Sequence, residues 1–300
     1  MLRQADNKVE IEGILSEINI EEKTYVKNGE NKEALSGSMK IKVLQKIGEE
    51  KKELEIPVYI FAQKYTSTGA INPSYNSIDK FRNTATSIAA AGGIEGADWI
   101  QIKSGKISEN SYYRNGKLIT FPRINVSFVN KIPAKNLEDS FATFSIELMV
   151  AKKEFEVDKN GEETGRYKIK AAIPQYGGKV DSITFFAMSP SVIDAIQSYW
   201  EEGKTFAAAG RLNFSATTEV SYKQTDFGED MIRSEKTVTV NEAIITGGSQ
   251  TPHSEMNEFN IEDVRQGLKE RQARLEELKI KSEQTKPAPK TVNSISDLGF

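Results

Sequence analysis

Apolar and polar residues alternate in short runs along most of the first 248 residues, the period-two signature of strands with one buried face. Two of these runs, Met39 to Leu44 and Tyr167 to Ala172, are built around the same tripeptide, Lys40-Ile41-Lys42 and Lys168-Ile169-Lys170. Each is preceded by an opening strand, Val9 to Leu15 and Phe144 to Val150, and followed by an apolar strand that ends in Phe61-Ala62 or Phe186-Ala187. The spacing then changes to 3.6, at Ile78, Phe81, Ala85 and Ile88 and again at Val192, Ile193, Ile196 and Trp200, which predicts one helix per copy. Strands carrying Gly105-Lys106-Ile107 and Gly210-Arg211-Leu212 come next, and after a polar loop Ile124 to Val129 and Val238 to Ile245 close each unit. Self-similarity at a period of about 125 residues is domain duplication rather than a solenoid. Aligning the two Phe-Ala pairs sets Phe186 opposite Phe61 and Thr184 opposite Tyr59.

Five strands with one helix between the third and fourth resemble the OB-fold, a small partly open barrel whose outer face binds oligonucleotides or oligosaccharides. The resemblance implies an all-β chain with minor α: two tandem five-stranded OB-fold barrels, at 1–135 and 136–248, each with a helix between strands 3 and 4. A linker and amphipathic helix at 249–285 and a flexible tail at 286–300 are expected to follow. In that helix Asn260 is a candidate cap, and Ile261, Val264, Leu268, Leu275 and Leu278 form a seam that Arg271 interrupts and Gly267 weakens. So short a seam predicts docking on a barrel rather than a free coiled coil.

Strand alternation locates a candidate binding face. With Met39, Ile41 and Val43 inside, Lys40 and Lys42 point outward; with Ile56, Val58 and Ile60 inside, so do Tyr59 and Phe61. Cations that track phosphates beside rings that stack on unpaired bases are what single-strand binding requires. The alternative is that the two rings pack under a loop or against the other barrel. In the second copy Lys168, Lys170 and Phe186 repeat the arrangement with one ring fewer. Lys106, Arg123 and Arg211 extend the basic face, and Asn115-Gly116 predicts a tight hairpin crowded by Tyr112, Tyr113, Arg114 and Lys117. Tyr25, within the polar segment from Glu21 to Ser38, reads as an ordinary loop tyrosine. Trp99 either plugs the barrel end or stacks on a base, whereas Tyr199 and Trp200 fall at core spacing.

Composition narrows the chemistry. The absence of cysteine removes disulfides and thiolate chemistry, and the lone His253, in a Gly-Gly-Ser-Gln-Thr-Pro linker, is expected to be solvated. No glycine loop has nucleotide-binding spacing, so no catalytic residue, metal or cofactor is expected. No apolar run suggests a signal peptide or membrane span, and a cytoplasmic protein is expected. The net charge of −3 hides an asymmetry: residues 1–135 hold 20 Lys and Arg against 16 Asp and Glu, whereas residues 136–252 hold 12 against 18. The first barrel is therefore expected to be the main binder, because affinity follows local phosphate neutralisation.

The chain ends in Ser296-Asp297-Leu298-Gly299-Phe300 after a Pro- and Lys-containing spacer. This resembles the tails of bacterial and phage single-stranded DNA-binding proteins, whose terminal aromatic enters a pocket on replication and repair partners. The resemblance implies that Phe300 anchors the contact with Asp297 and Leu298 in support, although the family tail usually carries more acids. The expected function is that of a phage-type protein that binds single-stranded DNA, as a monomer or homodimer, and recruits replication or recombination proteins. An assembly module without nucleic acid is the competing expectation, and carbohydrate binding a third.

Overall fold

The computed structural model describes residues 2–27, 29–224 and 231–284. Its first unit contains β1 (Asn7–Lys27), β2 (Glu30–Ile47), β3 (Glu50–Gln63), the helix α1 (Pro73–Thr84), the single turn α2 (Ile88–Ala91), β4 (Trp99–Arg114), β5 (Lys117–Val126) and the short β6 (Asn130–Ile132). The second contains β7 (Phe141–Val157), β8 (Glu163–Pro174), β9 (Val180–Ala187), α3 (Pro190–Tyr199), β10 (Thr205–Gln224) and β11 (Met231–Gly248). In the first unit β1 pairs with β2, β2 with β3, β3 in parallel with β5, β5 with β4 and β4 back with β1. The second closes in the same order, β7-β8-β9-β11-β10-β7, again with one parallel pair. Both are OB-fold barrels.

Alternation sends Met39, Ile41, Val43, Ile56, Val58 and Ile60 into the first barrel, all nearly inaccessible. Asn72 accepts from the Ser74 amide and Pro73 supplies the first helical residue, which starts α1. That helix stops at Thr84, so Ala85 is an extended cap and Ile88 opens α2 instead of continuing one helix. Trp99 is buried at the barrel end, and Trp200 stacks on Phe206 at 5.1 Å between centroids, whereas Tyr199 is exposed rather than part of the core.

The segments expected to be loops are strand. β1 and β2 stay paired through Lys27 and Glu30, and β4 and β5 through Arg114 and Lys117, with Asn115 (φ 53°) and Gly116 (φ 76°) forming the tight turn. Polar, charged residues hide such strands from hydrophobic patterning, because hairpin arms beyond the barrel bury neither face. His253 is likewise not solvated: its amide donates to the Thr205 carbonyl and its Nε2 lies 3.4 Å from Glu147 Oε1.

The barrels join through β1 and β7, which pair antiparallel from Asn7↔Ile146 to Glu12↔Phe141. Val9 lies opposite Phe144 in this ladder. These two residues are also structural counterparts, because Val9 faces Gly105 in one barrel and Phe144 faces Gly210 in the other. A residue paired with its own counterpart marks a pseudo-twofold axis. Each glycine lets its strand approach the partner closely; a Cβ on Gly210 would lie 2.7 Å from the Phe144 ring and nearer still to the Ile244 carbonyl.

The helix α4 (Ile261–Gln284) closes the seam between the barrels. Asn260 Oδ1 accepts from the Glu262 and Asp263 amides to cap it, and Val264 and Leu275 are buried while Ile261 and Leu278 remain partly exposed. The two residues that interrupt its seam are its docking contacts. A Cβ on Gly267 would lie 2.3 Å from Val180, so glycine is needed for the helix to reach β9. Arg271 donates Nε and Nη2 to Glu109 at 2.5 and 2.8 Å. Glu109 also links the two barrels: its carboxylate accepts from the Ser182 amide at 2.8 Å, and its own amide donates to Asp181 at 3.0 Å. Burial raises Glu109, but Arg271, Ser111 and Ser182 together hold it below the ordinary carboxylate range. Its folded-state pKa is thus depressed, so its contribution to stability is present above its unfolded value and lost as pH falls through the folded one.

Arg271→Ala would leave that carboxylate buried without its cation, and is expected to cost about 3 kcal/mol at neutral pH. Urea unfolding should also show the deficit shrinking in acid, where protonated Glu109 no longer needs a partner; a pH-independent deficit would point to lost packing instead.

Candidate nucleic-acid interface

The ladders change the alignment of the two barrels. Each has a bulge in its first strand, between Leu15 and Glu17 and between Val150 and Lys152. Beyond the bulges Glu17 faces Lys40 and Lys152 faces Lys170, so Lys40 corresponds to Lys170, not Lys168. Lys40 faces Pro57 and Lys170 faces Thr184, which makes Tyr59 the counterpart of Phe186. The parallel pairs agree, since Val58 lies beside Ile124 and Phe185 beside Ala243. Both repeats, Lys-Ile-Lys and Phe-Ala, are therefore two residues out of register. A two-residue slip in a strand leaves every side chain on its original face and escapes detection by pattern. Phe61 corresponds to Met188, not to Phe186.

With that register, one outer face of the first barrel carries Lys106 and Ser108 from β4, Arg123 and Asn125 from β5, Tyr59 and Phe61 from β3, and Ser38 and Lys40 from β2. Arg123 lies over the Tyr59 ring, its Cζ 4.1 Å from the centroid. Its Nε is buried and has no hydrogen-bond partner among the described residues. Burial lowers the Arg123 pKa, opposed by Tyr59, and the guanidinium remains charged. In the second barrel Arg166 covers Phe186 in the same way at 4.2 Å, but comes from β8 rather than from the final strand.

Tyr59 and Phe186 line a single cleft of about 780 Å³ between the barrels. The lining is made of counterparts: Pro57 with Thr184, Tyr59 with Phe186, Thr120 with Thr239, Phe121 with Val240 and Pro122 with Asn241. The cleft therefore straddles the pseudo-twofold axis. Lys170, Tyr112, Glu242 and Arg271 are also among its walls.

The expected site residues divide accordingly. Tyr59, Arg123, Tyr112, Lys170 and Phe186 come together at or beside the cleft. Tyr112 sits edge-on to Phe121 at 6.1 Å, while Tyr113, its neighbour in the same strand, points to the opposite side; the hairpin does not gather both rings. Phe61 lies farther along β3, 54% exposed and edge-on to Tyr25 at 5.3 Å, so Tyr25 belongs to a paired strand rather than a loop. Lys40 is held by Glu17 at 2.6 Å, Lys42 by Glu53 at 2.7 Å and Lys168 by Glu154 at 3.1 Å. The bond to Glu17 raises the Lys40 pKa, so the ammonium is secure but occupied. Arg211 donates to the Lys46 carbonyl at 2.6 Å. Lys106, Arg114 and Lys117 are exposed on β4 and at its hairpin, away from the cleft lining. Asp297, Leu298 and Phe300 lie outside the described residues.

Arg166 and Glu242 were not evident from sequence, because their part in the site depends on which residues the barrel closure sets side by side. The signal available was the run of equivalent positions, and it was obscured by the two-residue slip. Among the described residues no group of His, Cys, Asp and Glu could hold a metal ion, and no helix is long and apolar enough to cross a membrane.

No curated protein matches this sequence. A crystal structure of a deletion mutant of the single-stranded DNA binding protein from Thermus aquaticus superposes with a TM-score of 0.49 and 7% identity, covering 84% of this chain and 97% of that one. The model of the YorF family matches residues 5–281. That span takes in both barrels and nearly all of α4, and the chain belongs to the YorF family.

Proposed function

We propose that the protein binds single-stranded nucleic acid, DNA foremost, in the cleft between its barrels. The observation that carries this reading is that Tyr59 and Phe186, counterparts on the pseudo-twofold axis, each topped by a guanidinium, line the same cleft. Aromatic rings stack on unpaired bases whatever their sequence, and adjacent cations take the phosphates. A duplex keeps its bases stacked on one another and cannot offer them to rings recessed between two barrels. Arg123 supplies the main phosphate contact because no carboxylate pairs with it among the described residues, while Lys40 and Lys42 must first leave their carboxylates. An exposed ion pair such as Lys40–Glu17 is worth about 0–1 kcal/mol, so that exchange is cheap. From the cleft the strand runs along β3 to Phe61 and the β1–β2 hairpin. The last residues, Asp297, Leu298 and Phe300, serve as a tether for replication or recombination proteins.

Tyr59→Ala should weaken binding of labelled oligo-dT about tenfold in fluorescence anisotropy, the worth of one stacked base. Arg123→Gln should weaken it and flatten the dependence of log affinity on log salt by about one. Wild-type protein that binds an equal-length duplex as well as the single strand would overturn the reading and favour an assembly module.

Removal of Leu298 to Phe300 should leave oligo-dT affinity intact and abolish co-purification of replication proteins; unchanged co-purification would show the tail to have no part in it.

A further inference from the structure

The two ring-and-guanidinium pairs differ in charge, and the difference sits at one position. Ile124 and Ala243 are counterparts, so the residues before them, Arg123 and Glu242, occupy equivalent places beside the cleft. Where the first barrel has a cation, the second has an acid. Glu242 accepts from Arg166 Nη2 at 2.7 Å, and Glu156 lies 3.3 Å from Arg166 Nε. The three side chains are 19 to 25% exposed. Of these, Glu242 lines the cleft, and Arg166 reaches it by lying over the lining ring of Phe186. Glu242 is further held by Asn213, whose Nδ2 donates to its other oxygen at 2.9 Å. Lys170, also in the cleft wall, forms no ion pair among the described residues. The second barrel thus has a ring, a stacked guanidinium and a free ammonium, but its arginine is already occupied.

We propose that Arg166 and Phe186 form a second, latent nucleotide subsite in which the Glu242 carboxylate stands where a phosphodiester would bind. The inference rests on the single-strand reading above. Phosphate and carboxylate both suit the bidentate fork of an arginine, so a strand can displace Glu242 by exchanging one anion for another. A short oligonucleotide has little means to do so, because it is held in the first barrel by Tyr59 and Arg123. A longer strand anchored there delivers its next phosphates to Arg166 at high effective concentration and opens the lock. Glu242 then tunes how much strand each chain occupies.

The test is Glu242→Gln, which removes the charge and keeps an acceptor for Asn213. Affinity for oligo-dT of about thirty nucleotides should rise threefold or more, with the salt slope steeper by about one, and the rise should be smaller for an oligomer of about eight. Adding Arg166→Gln should cancel the gain. Glu156→Gln, which loosens the same arginine from its other side, should act in the same direction and provides an independent variant should Glu242→Gln fold poorly. Exposed Glu235→Gln is the charge control and should leave both oligomers unchanged. Tighter binding that survives Arg166→Gln, or no gain in either glutamate variant while Tyr59→Ala still weakens binding, would overturn the latent subsite alone. If Tyr59→Ala is also without effect, the cleft reading falls with it.

Discussion

The pairing of Val9 with its own counterpart Phe144 is the constraint on which the rest of the molecule depends. Over this stretch β1 has β4 on one edge and β7 on the other, and β7 has β10 and β1. Neither strand is left with a free edge, which is where barrels that open at a seam would otherwise be vulnerable. The ladder also turns two barrels into one sheet of eleven strands among the described residues, with one apolar cluster running through both. Because the pairing is symmetric, equivalent surfaces are turned toward a common axis. The cleft is the consequence of that symmetry rather than of any residue within it.

Beyond the strand ladder, Glu109 ties the two barrels and the C-terminal helix together. Its carboxylate bridges to β9 of the other barrel and to Arg271 of α4 at once. Desolvating a carboxylate is costly unless it is fully paired, so the site is stable only when both barrels and the helix are in place. That makes α4 part of the body of the protein, and it explains why an arginine and a glycine occupy what would be a continuous apolar seam. Arg271 also reaches the cleft wall, so helix docking and the shape of the candidate interface are coupled.

Symmetry in backbone and asymmetry in side chains together set the character of the cleft. The two barrels bring rings to matching places, but the charge beside the ring is reversed between Arg123 and Glu242. A duplicated scaffold can diverge in this way at little structural cost, because position 123 or 242 lies on the outer face and does not enter the packed core.

The sequence by itself determined the duplication, the β-rich class, the helix between the third and fourth strands and the outward direction of Tyr59, Phe61 and the repeated lysines. All of these follow from period-two and 3.6 spacing, which is local. It did not determine how far the hairpins extend, because arms clear of the core show no apolar alternation. Nor could it fix the true register of the copies, since shifting a strand by two preserves its pattern. Only the ladders placed Phe186 opposite Tyr59, and only barrel closure laid Arg123 on one ring, set Arg166 against Glu242 and paired Lys40 with Glu17. Such contacts join residues on different strands, so their partners are set by the fold as a whole and are not written in any one segment.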